Sequence, residues 1–425
     1  MYSYSHASDY RQFRPVSELR WLFFDLNSYF ASVEQQENPA LQGRPVAVVP
    51  TDTDATSAIA ASYEAKRYGI TTGTKIYEAK KLCPELVCVQ ARHDVYVRYH
   101  HRILAVLEQF MPVTKVCSVD EAACLLFTND RAPIKAHQLA INIKQAFAEQ
   151  VGTAIKCSIG IAPNAYLAKI GTEIQKPDGL VILEPDQYWS QLFSLELTDL
   201  TGINQRMQQR LYDAEVYTIE DFCRLSPKHA RRVWGSVAGE QLWYRLHGYD
   251  IPEQATTRRM IGHSRVLDPD IRSIKSAFAM LRNLTIKAAA RLRRLGFYAR
   301  RLNMSVKGYD HFRWSQEQVF TPTQSNFVFL DIVTVLWQQM LVMTQVSRLK
   351  SVSISLYDLS EAANTTLDLF DTPEQDDGLS ETLDRIKQRF GADSIQVGSC
   401  PKTTAGYVGT KIAFNRIPDD QEFLE

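Results

Sequence analysis

Apolar positions along the first half of the chain alternate between short runs and helical spacing. Trp21 to Phe24 is an apolar, aromatic run that stops at Asp25, which predicts a buried strand delivering a carboxylate at its end. A second strand is predicted at Arg44 to Val49, after the Gly43 turn. Ser57 to Tyr68 is Ala-rich and ends at Gly69, so it reads as a helix with a glycine stop, and Lys75 to Leu82 reads as another, ended by Pro84. Helical periodicity recurs from Val95 to Phe110, up to Pro112. Val113 to Val119 and Ala122 to Phe127 predict paired strands around Asp120 and Glu121. Ala132 to Gln150 then reads as a helix, Ala154 to Ile161 as a strand, and Asn164 to Gln175 as a helix between Pro163 and Lys176-Pro177. This alternation describes an α/β or α+β domain running to about residue 184.

The pattern changes after that. Asp186 to about His247 predicts short helices with breaks at Gly202 and Gly239. Arg258 to Leu267 is a predicted strand, Ser273 to Leu295 a long basic helix, and Leu302 to Lys307 and Ser351 to Tyr357 are strands; a helix between Leu330 and Met343 completes a β-α-β-β-α-β order. Beyond Tyr357 the chain is polar and acidic, which predicts a tail with only local structure.

With 425 residues the chain is too long for one core, and 45% hydrophobic content supplies apolar surface for three or four domains. No apolar run approaches the roughly 18 to 20 residues that cross a bilayer. Met1 to Leu19 has polar and aromatic residues where a signal peptide has an apolar stretch, so no membrane partner and a cytoplasmic location are expected. The seven cysteines are odd in number and form no zinc-type CxxC pair, and they read as buried reduced thiols.

Formal net charge is zero, but its distribution is not even. Arg258 to Arg313 holds 14 basic residues against three acidic ones, or +11, whereas Asp358 to Glu425 holds six against 14, or −8. Such asymmetry points to a polyanion partner. The alternative is a solvated face offset by neighbouring acids.

Three acids stand where chemistry would want them: Asp25, and the adjacent pair Asp120 and Glu121. Neighbouring strand residues point to opposite faces, so Asp120 and Glu121 converge only at a turn or bulge. Clustered carboxylates need a cation between them, and oxygen-only donors favour Mg²⁺. Two such ions about 3.5 to 4 Å apart can activate a hydroxyl and neutralise a leaving pyrophosphate. Taken singly, the acid pair also reads as a solvated turn and Asp25 as a strand cap.

Several motifs in one order decide between these readings. Phe24-Asp25-Leu26-Asn27-Ser28-Tyr29-Phe30-Ala31-Ser32-Val33-Glu34, Ser62-Tyr63-Glu64-Ala65-Lys66-Arg67-Tyr68-Gly69, Ser118-Val119-Asp120-Glu121-Ala122, Ser158-Ile159-Gly160-Ile161-Ala162 and Lys176-Pro177-Asp178-Gly179 resemble the Y-family translesion DNA polymerases, in their bacterial UmuC and DinB branches. The ordered match spans roughly residues 20 to 360. The resemblance implies an α+β multidomain fold, a right hand of palm (19–28 and 92–184), fingers (29–91) and helix-hairpin-helix-like thumb (185–252), plus a β-α-β-β-α-β little finger (258–358). A short N-terminal tail (1–18) and an acidic C-terminal tail (359–425) flank it. The implied activity is template-directed transfer from a dNTP to a primer 3′-hydroxyl, past damaged bases, by a monomer.

The resemblance also implies residue roles. Asp25, Asp120 and Glu121 become catalytic metal ligands, with the Leu26 backbone carbonyl a further one, for two Mg²⁺ ions that Mn²⁺ can replace. Tyr63, Lys66, Arg67 and Lys176 become triphosphate contacts; on a helix the first three share one face. Lys66 stands where most relatives have Arg. Phe30 falls at the steric gate beneath the sugar, beside Tyr29, and implies deoxynucleotide selection. Asn27 departs from the aspartate of DinB-like relatives and matches UmuC-like ones.

For primer-template DNA the candidates are Gly202, in a Leu200-Thr201-Gly202-Ile203-Asn204 turn resembling half of a helix-hairpin-helix, and Arg259, Arg265, Arg300 and Arg301 in the basic domain. Asn204 replaces the turn's usual second glycine, a substitution that left-handed tolerance of asparagine would accommodate. Alternation puts Arg259 and Arg265 on one strand face, taken as the DNA face. Thr366-Leu367-Asp368-Leu369-Phe370 resembles a sliding-clamp-binding peptide, with Leu367, Leu369 and Phe370 as its anchors. Two other classes compete: a non-catalytic repair scaffold of the same fold, which has no need of three carboxylates, and another two-metal enzyme such as a cyclase or nuclease, which has no need of the +11 window.

Overall fold

The structure is a computed structural model that describes residues 14–252, 258–309, 311–364 and 374–391, with 394, 395, 397, 398 and 417. The chain divides into two compact units, formed chiefly by Met1–Glu253 and by Gln254–Tyr407.

In the first unit the elements follow as β1 (Trp21–Leu26), α1 (Tyr29–Glu37), β2 (Val46–Val49), β3 (Ala60–Ala61), α2 (Tyr63–Lys66), α3 (Ile76–Leu82), β4 (Val87–Gln90) and α4 (His93–Leu107). Next come β5 (Lys115–Val116), β6 (Glu121–Leu125), α5 (Pro133–Gln150), β7 (Cys157–Ala162), α6 (Ala165–Ile174) and β8 (Leu180–Ile182). Five short helices close the unit: α7 (Trp189–Phe193), α8 (Gln205–Tyr212), α9 (Ile219–Arg224), α10 (Pro227–Trp234) and α11 (Val237–Leu246).

The main sheet runs β5-β6-β1-β7-β8, with β1 central and antiparallel to both neighbours. Alternation divides the side chains of β1 between two helical layers. Phe24 packs edge-on against Phe147 of α5, with ring centroids 5.9 Å apart. Phe23 faces the other way and joins Leu167, Ala168 and Ile170 of α6 in a core that continues into Leu211, Phe222 and Leu242 of the short helices. Asp25 has the parity of Phe23 and so lies on the α6 side. Close packing of α6 depends on Gly160 of β7, where a Cβ would come within 2.0 Å of the Ala168 carbonyl oxygen.

A small sheet, β3-β2-β4, has its own core of small residues, including Ala47, Ala58, Ala61, Ala65 and Ala79. Here the sequence reading is corrected. Ser57 to Tyr68 is not one helix: Ala60–Ala61 pairs with β2, and the Ser62 side chain caps a helix of only four residues by accepting from the Ala65 N–H. Alanine raises helix propensity, but these alanines serve as thin packing beside β2. Asn204 is corrected too: its φ is −96° and it N-caps α8, so Gly202, at φ +100°, is the left-handed residue of that turn.

The second unit follows the β-α-β-β-α-β order as β9 (Met260–Val266), α12 (Ile274–Arg294), β10 (Phe297–Gly308), β11 (Arg313–Thr323), α13 (Asn326–Met343) and β12 (Leu349–Glu361), then α14 (Glu374–Phe390). Its sheet runs β11-β10-β12-β9. Leu302, Met304, Val306, Val352, Ile354 and Leu356 face α12 and α13 in one core. The opposite parity brings Ser264, Ser353, Ser305 and Ser315 into one cross-strand row and Val266, Ser351, Lys307 and Arg313 into another. Among the described residues one helix, Asn326–Met343, is long and apolar enough by composition to cross a membrane, although Asp331, Gln338 and Gln339 interrupt its apolar run; its Phe329, Val333, Leu336, Trp337 and Met340 are buried in this core.

Two further expectations are corrected here. The acidic tail is not merely local structure, because α14 packs on α12 and α13, with Ser380 and Leu383 buried. Arg265 shares the parity of Ile261 and Leu267, not of the open face. It bonds Asp268 at 3.0 Å and lies 3.7 Å from the Met280 sulfur on α12. Part of the +11 charge is likewise answered internally: Arg293, 6% exposed, bonds Asp384 at 2.7 Å, and Arg301 pairs with Glu317 and Asp358. Cys83, Cys124, Cys157 and Cys223 are buried free thiols, as expected, and Cys88 and Cys117 are half-buried ones. Leu367, Leu369, Phe370 and Cys400 lie outside the described residues.

Candidate active site

The register of the central strands sets the site. Asp25 on β1 pairs directly with Glu121 on β6 and with Ser158 on β7. Asp120 precedes β6 in the turn, where its carbonyl oxygen accepts from the Leu26 N–H at 2.9 Å. Ser118 donates to the Asp120 carboxylate at 2.5 Å. Three acids from two chain segments are therefore gathered at one end of the sheet, as the turn argument expects. His100 on α4 fixes the approach to this turn, its Nδ1 lying 2.8 Å from the Val119 carbonyl oxygen. Asn27, buried, ties the neighbouring loop down: it donates to Ser158 Oγ at 3.1 Å and accepts from the Asp178 N–H at 2.7 Å.

Two lysines cross this end of the sheet. Lys169 on α6 bonds Asp25 Oδ2, Glu121 Oε1 at 2.8 Å and Glu173 Oε1 at 2.8 Å, with its ammonium 5.5 Å from the Phe23 ring centroid. Lys176 bonds the same Asp25 oxygen at 2.9 Å and the same Glu173 oxygen at 2.8 Å. Lys176 was named from the sequence; Lys169 and Glu173 were not. On a helix their spacing reads as an ordinary exposed i,i+4 pair, and only the packing of α6 across β1 puts that pair over Asp25.

The electrostatics follow from burial set against charge. Burial opposes the charge on Asp25, yet Lys169 and Lys176 outweigh it and hold the carboxyl below its usual range. For Glu121 burial prevails over Lys169 and, with Asp25 and Asp120 nearby, pushes the carboxyl up to about 6. Asp120 is also raised by burial, against the Ser118 hydrogen bond. Burial disfavours the Lys169 ammonium, but Asp25, Glu121 and Glu173 together raise its pKa above the normal lysine value.

Of the candidates on α1 and α2, Tyr63 and Lys66 lie near the cluster, within reach of the charges of Asp25 and Glu173. Tyr63 is pushed up to about 12 by burial and then by Asp25 and Glu173. The Lys66 ammonium sits 4.4 Å from the Tyr63 ring centroid, and its pKa is lowered by partial desolvation and by Lys176. Arg67 is the exposed C-cap of α2. Phe30, half-buried, stacks on Tyr96 of α4 with centroids 4.3 Å apart and planes 13° from parallel. Tyr96 donates to Glu34 at 2.8 Å, and Arg92 bonds the same carboxylate at 2.5 Å. Tyr29 is buried and donates to the Tyr96 carbonyl oxygen at 2.7 Å.

Solved Y-family polymerases share this fold. A Y-family DNA polymerase chimera superposes with a TM-score of 0.67 at 23% identity, covering 80% of this chain and 98% of its own. An insertion ternary complex of Dbh DNA polymerase gives a TM-score of 0.53 with the same coverage and identity. These likenesses establish the fold: palm, fingers, thumb and little finger.

The profile of the impB/mucB/samB family matches residues 24–173 and that of its C-terminal domain residues 258–369, and the chain belongs to this family of Y-family DNA polymerases. Among curated relatives, the DNA polymerase IV of Pelotomaculum thermopropionicum is 32% identical over 88% of this chain and 93% of its own length. That of Moorella thermoacetica is 32% identical over 88% and 94%.

Family membership carries dependence on a divalent metal. Among the described residues no three His, Cys, Asp or Glu side chains close tightly enough to enclose an ion, and the Lys169 ammonium lies between Asp25 and Glu121 instead. The donor set nevertheless fits: its acids are all carboxylates, the favoured donors of hard divalent cations, and a positive charge is already held in contact with two of them.

Proposed function

We propose that the chain copies a template strand by adding deoxynucleotides to a primer 3′-hydroxyl, including opposite damaged bases, as a DNA-directed DNA polymerase. The observation that carries this reading is the Asp25–Glu121 cross-strand pair with Asp120 beside it, bordered by Lys176, Lys66 and Tyr63. Asp25, Asp120, Glu121 and the Leu26 carbonyl would hold two Mg²⁺ ions, or Mn²⁺ in their place; bound there, the ions would lower the pKa of the attacking hydroxyl and neutralise the leaving pyrophosphate. The chain's own residues supply position. Tyr63, Lys66 and Lys176 present a hydroxyl and two cations to a triphosphate, and Arg67 adds a charge at the end of α2. Phe30 with Tyr29 walls the sugar, the ring held flat against Tyr96.

The Gly202 turn and the exposed Arg259 and Arg300 suit contacts with DNA phosphates, which position a duplex without reading its sequence. The serine row Ser264, Ser353, Ser305 and Ser315 of the open sheet face suits close approach of a backbone, and Lys307 and Arg313 of the next row suit its phosphates. Palm, fingers, thumb and little finger are assigned the boundaries expected from the sequence, except that the last strand runs to Glu361. We assign residues 366–370 as a clamp-binding peptide, and the protein as a cytoplasmic monomer acting on primer-template DNA and dNTPs.

Primer extension on undamaged and damaged templates, with Mg²⁺ and with Mn²⁺, tests the reading. Asp120→Ala is expected to lose at least ~10³-fold in incorporation rate while binding DNA normally. Undiminished incorporation by Asp120→Ala would overturn the site, and no extension by the wild type would favour the scaffold.

A further inference from the structure

The positions of Lys169 and Glu173 say how the carboxylate cluster is kept intact before a metal arrives. Asp25 is 5% exposed, and a carboxylate so buried costs several kcal/mol unless a cation meets it. Lys169 meets it and reaches Glu121 as well, with only 13% of its own side chain exposed. A divalent cation bound by Asp25 and Glu121 would need the oxygens that Lys169 now holds. The two cations compete.

Glu173 gives the competition a direction. It lies four residues after Lys169 and three before Lys176, one of its oxygens bonds both ammoniums, and its side chain is 33% exposed, at the rim of the cluster. Lys169, once released by Asp25, therefore keeps a carboxylate partner on its own helix α6, and Lys176 keeps the same one from just beyond that helix. We propose that Lys169 is the resident counter-ion of the site and exchanges with the divalent cation, and that Glu173 is a positioning residue that retains the displaced lysines. This rests on Asp25 and Glu121 being metal ligands. Its consequence is that apparent metal affinity is set by how often Lys169 has moved aside, since binding to a fractionally populated competent state is weakened by that fraction.

The test uses the full chain with Mn²⁺ alone, without DNA or nucleotide, and reads free Mn²⁺ by electron paramagnetic resonance. Lys169→Met is expected to tighten apparent Mn²⁺ binding about tenfold, and Glu173→Gln to weaken it about fivefold, within the usual range of coupling between sites. Lys135→Met, which removes an equal charge from an exposed position on α5, should change it less than twofold. In the Lys169→Met background the Glu173→Gln effect should shrink to under half its logarithm, whereas a general loss of negative charge would leave it whole. In chelator the melting temperature of Lys169→Met should fall below wild type, and saturating Mn²⁺ should restore it. If Asp25→Asn leaves Mn²⁺ binding unchanged, both the ligand assignment and the exchange fail. If Asp25→Asn abolishes binding while Lys169→Met binds no more tightly than Lys135→Met, the ligands stand and the exchange is wrong. Should Lys169→Met not fold, Glu173→Gln decides alone: binding as tight as wild type would sink the proposal.

Discussion

At the scale of single residues, Phe30 is held by stacking on one side, and the support behind it is ionic. Tyr96 fixes the ring, Glu34 fixes Tyr96, and Arg92 fixes Glu34. Phe30→Ala should raise the ratio of ribonucleotide to deoxynucleotide incorporation about 100-fold, if the ring imposes a clash of about 3 kcal/mol. Glu34→Gln should raise the same ratio by less, because the ring remains but its backing loosens; equal ratios in all three proteins would make Phe30 a core residue. A second expectation concerns pH in metal-free protein. Glu121 titrates at about 6 in the fold, above an ordinary carboxyl, so its contribution to stability is fully present below the unfolded value and is lost as pH rises through about 6. Asp25, lowered in the fold, contributes in the opposite sense, only above the unfolded value. Between about pH 5 and pH 7 the wild type should therefore lose stability relative to Glu121→Gln, as measured by thermal melts in chelator. Of these residues, the acids were legible because each ends or follows an apolar run. Lys169, Glu173 and Tyr96 were not, since their partners lie 48 or more residues away, or on the same helix face.

At the scale of elements, what could be read was set by how far the deciding contact lies along the chain. α5 and α12 carry their own signals, Pro133 at the start of one and the Ser273 cap of the other, and both fell within a residue of expectation. The Ser57 to Tyr68 stretch misled because its alanines answer to β2 and not to their neighbours. α14 misled because its polar sequence hides one narrow buried edge. That edge carries a measurable load: Arg293 is nearly enclosed, bonding Asp384, the Gln324 carbonyl oxygen at 2.6 Å and Asn326 Oδ1 at 3.2 Å. Asp384→Asn leaves the buried guanidinium without its counter-charge and should cost about 1–3 kcal/mol in urea unfolding of the C-terminal unit. Glu381→Gln, at an exposed position of the same helix, should cost under about 0.5 kcal/mol. Equal losses would mean that α14 is held by general charge and not by this pair.

For the whole molecule, zero net charge conceals a division of labour that the sequence shows only as a total. The +11 window contains cations of two kinds once the fold is known. Arg265, Arg293 and Arg301 are engaged by Asp268, Asp384 and by Glu317 with Asp358, two of those acids coming from the strongly acidic end of the chain. Lys307 and Arg313, paired in register at the edge of the open sheet face, are exposed, as are Arg259 and Arg300. The alternative of a basic run offset by its own acids is therefore correct for part of the window, and a polyanion would meet the rest. Neutralising about five phosphates gives a log–log slope of affinity against salt of about −4.5, and each contact removed flattens it by about 0.9. Lys307→Ala with Arg313→Ala should flatten the slope for primer-template DNA by about 2, while Arg265→Ala should leave it unchanged, because that guanidinium faces α12. Filter binding between about 50 and 200 mM salt distinguishes them. A slope altered by Arg265→Ala and untouched by the double substitution would put the duplex on the other face of the sheet.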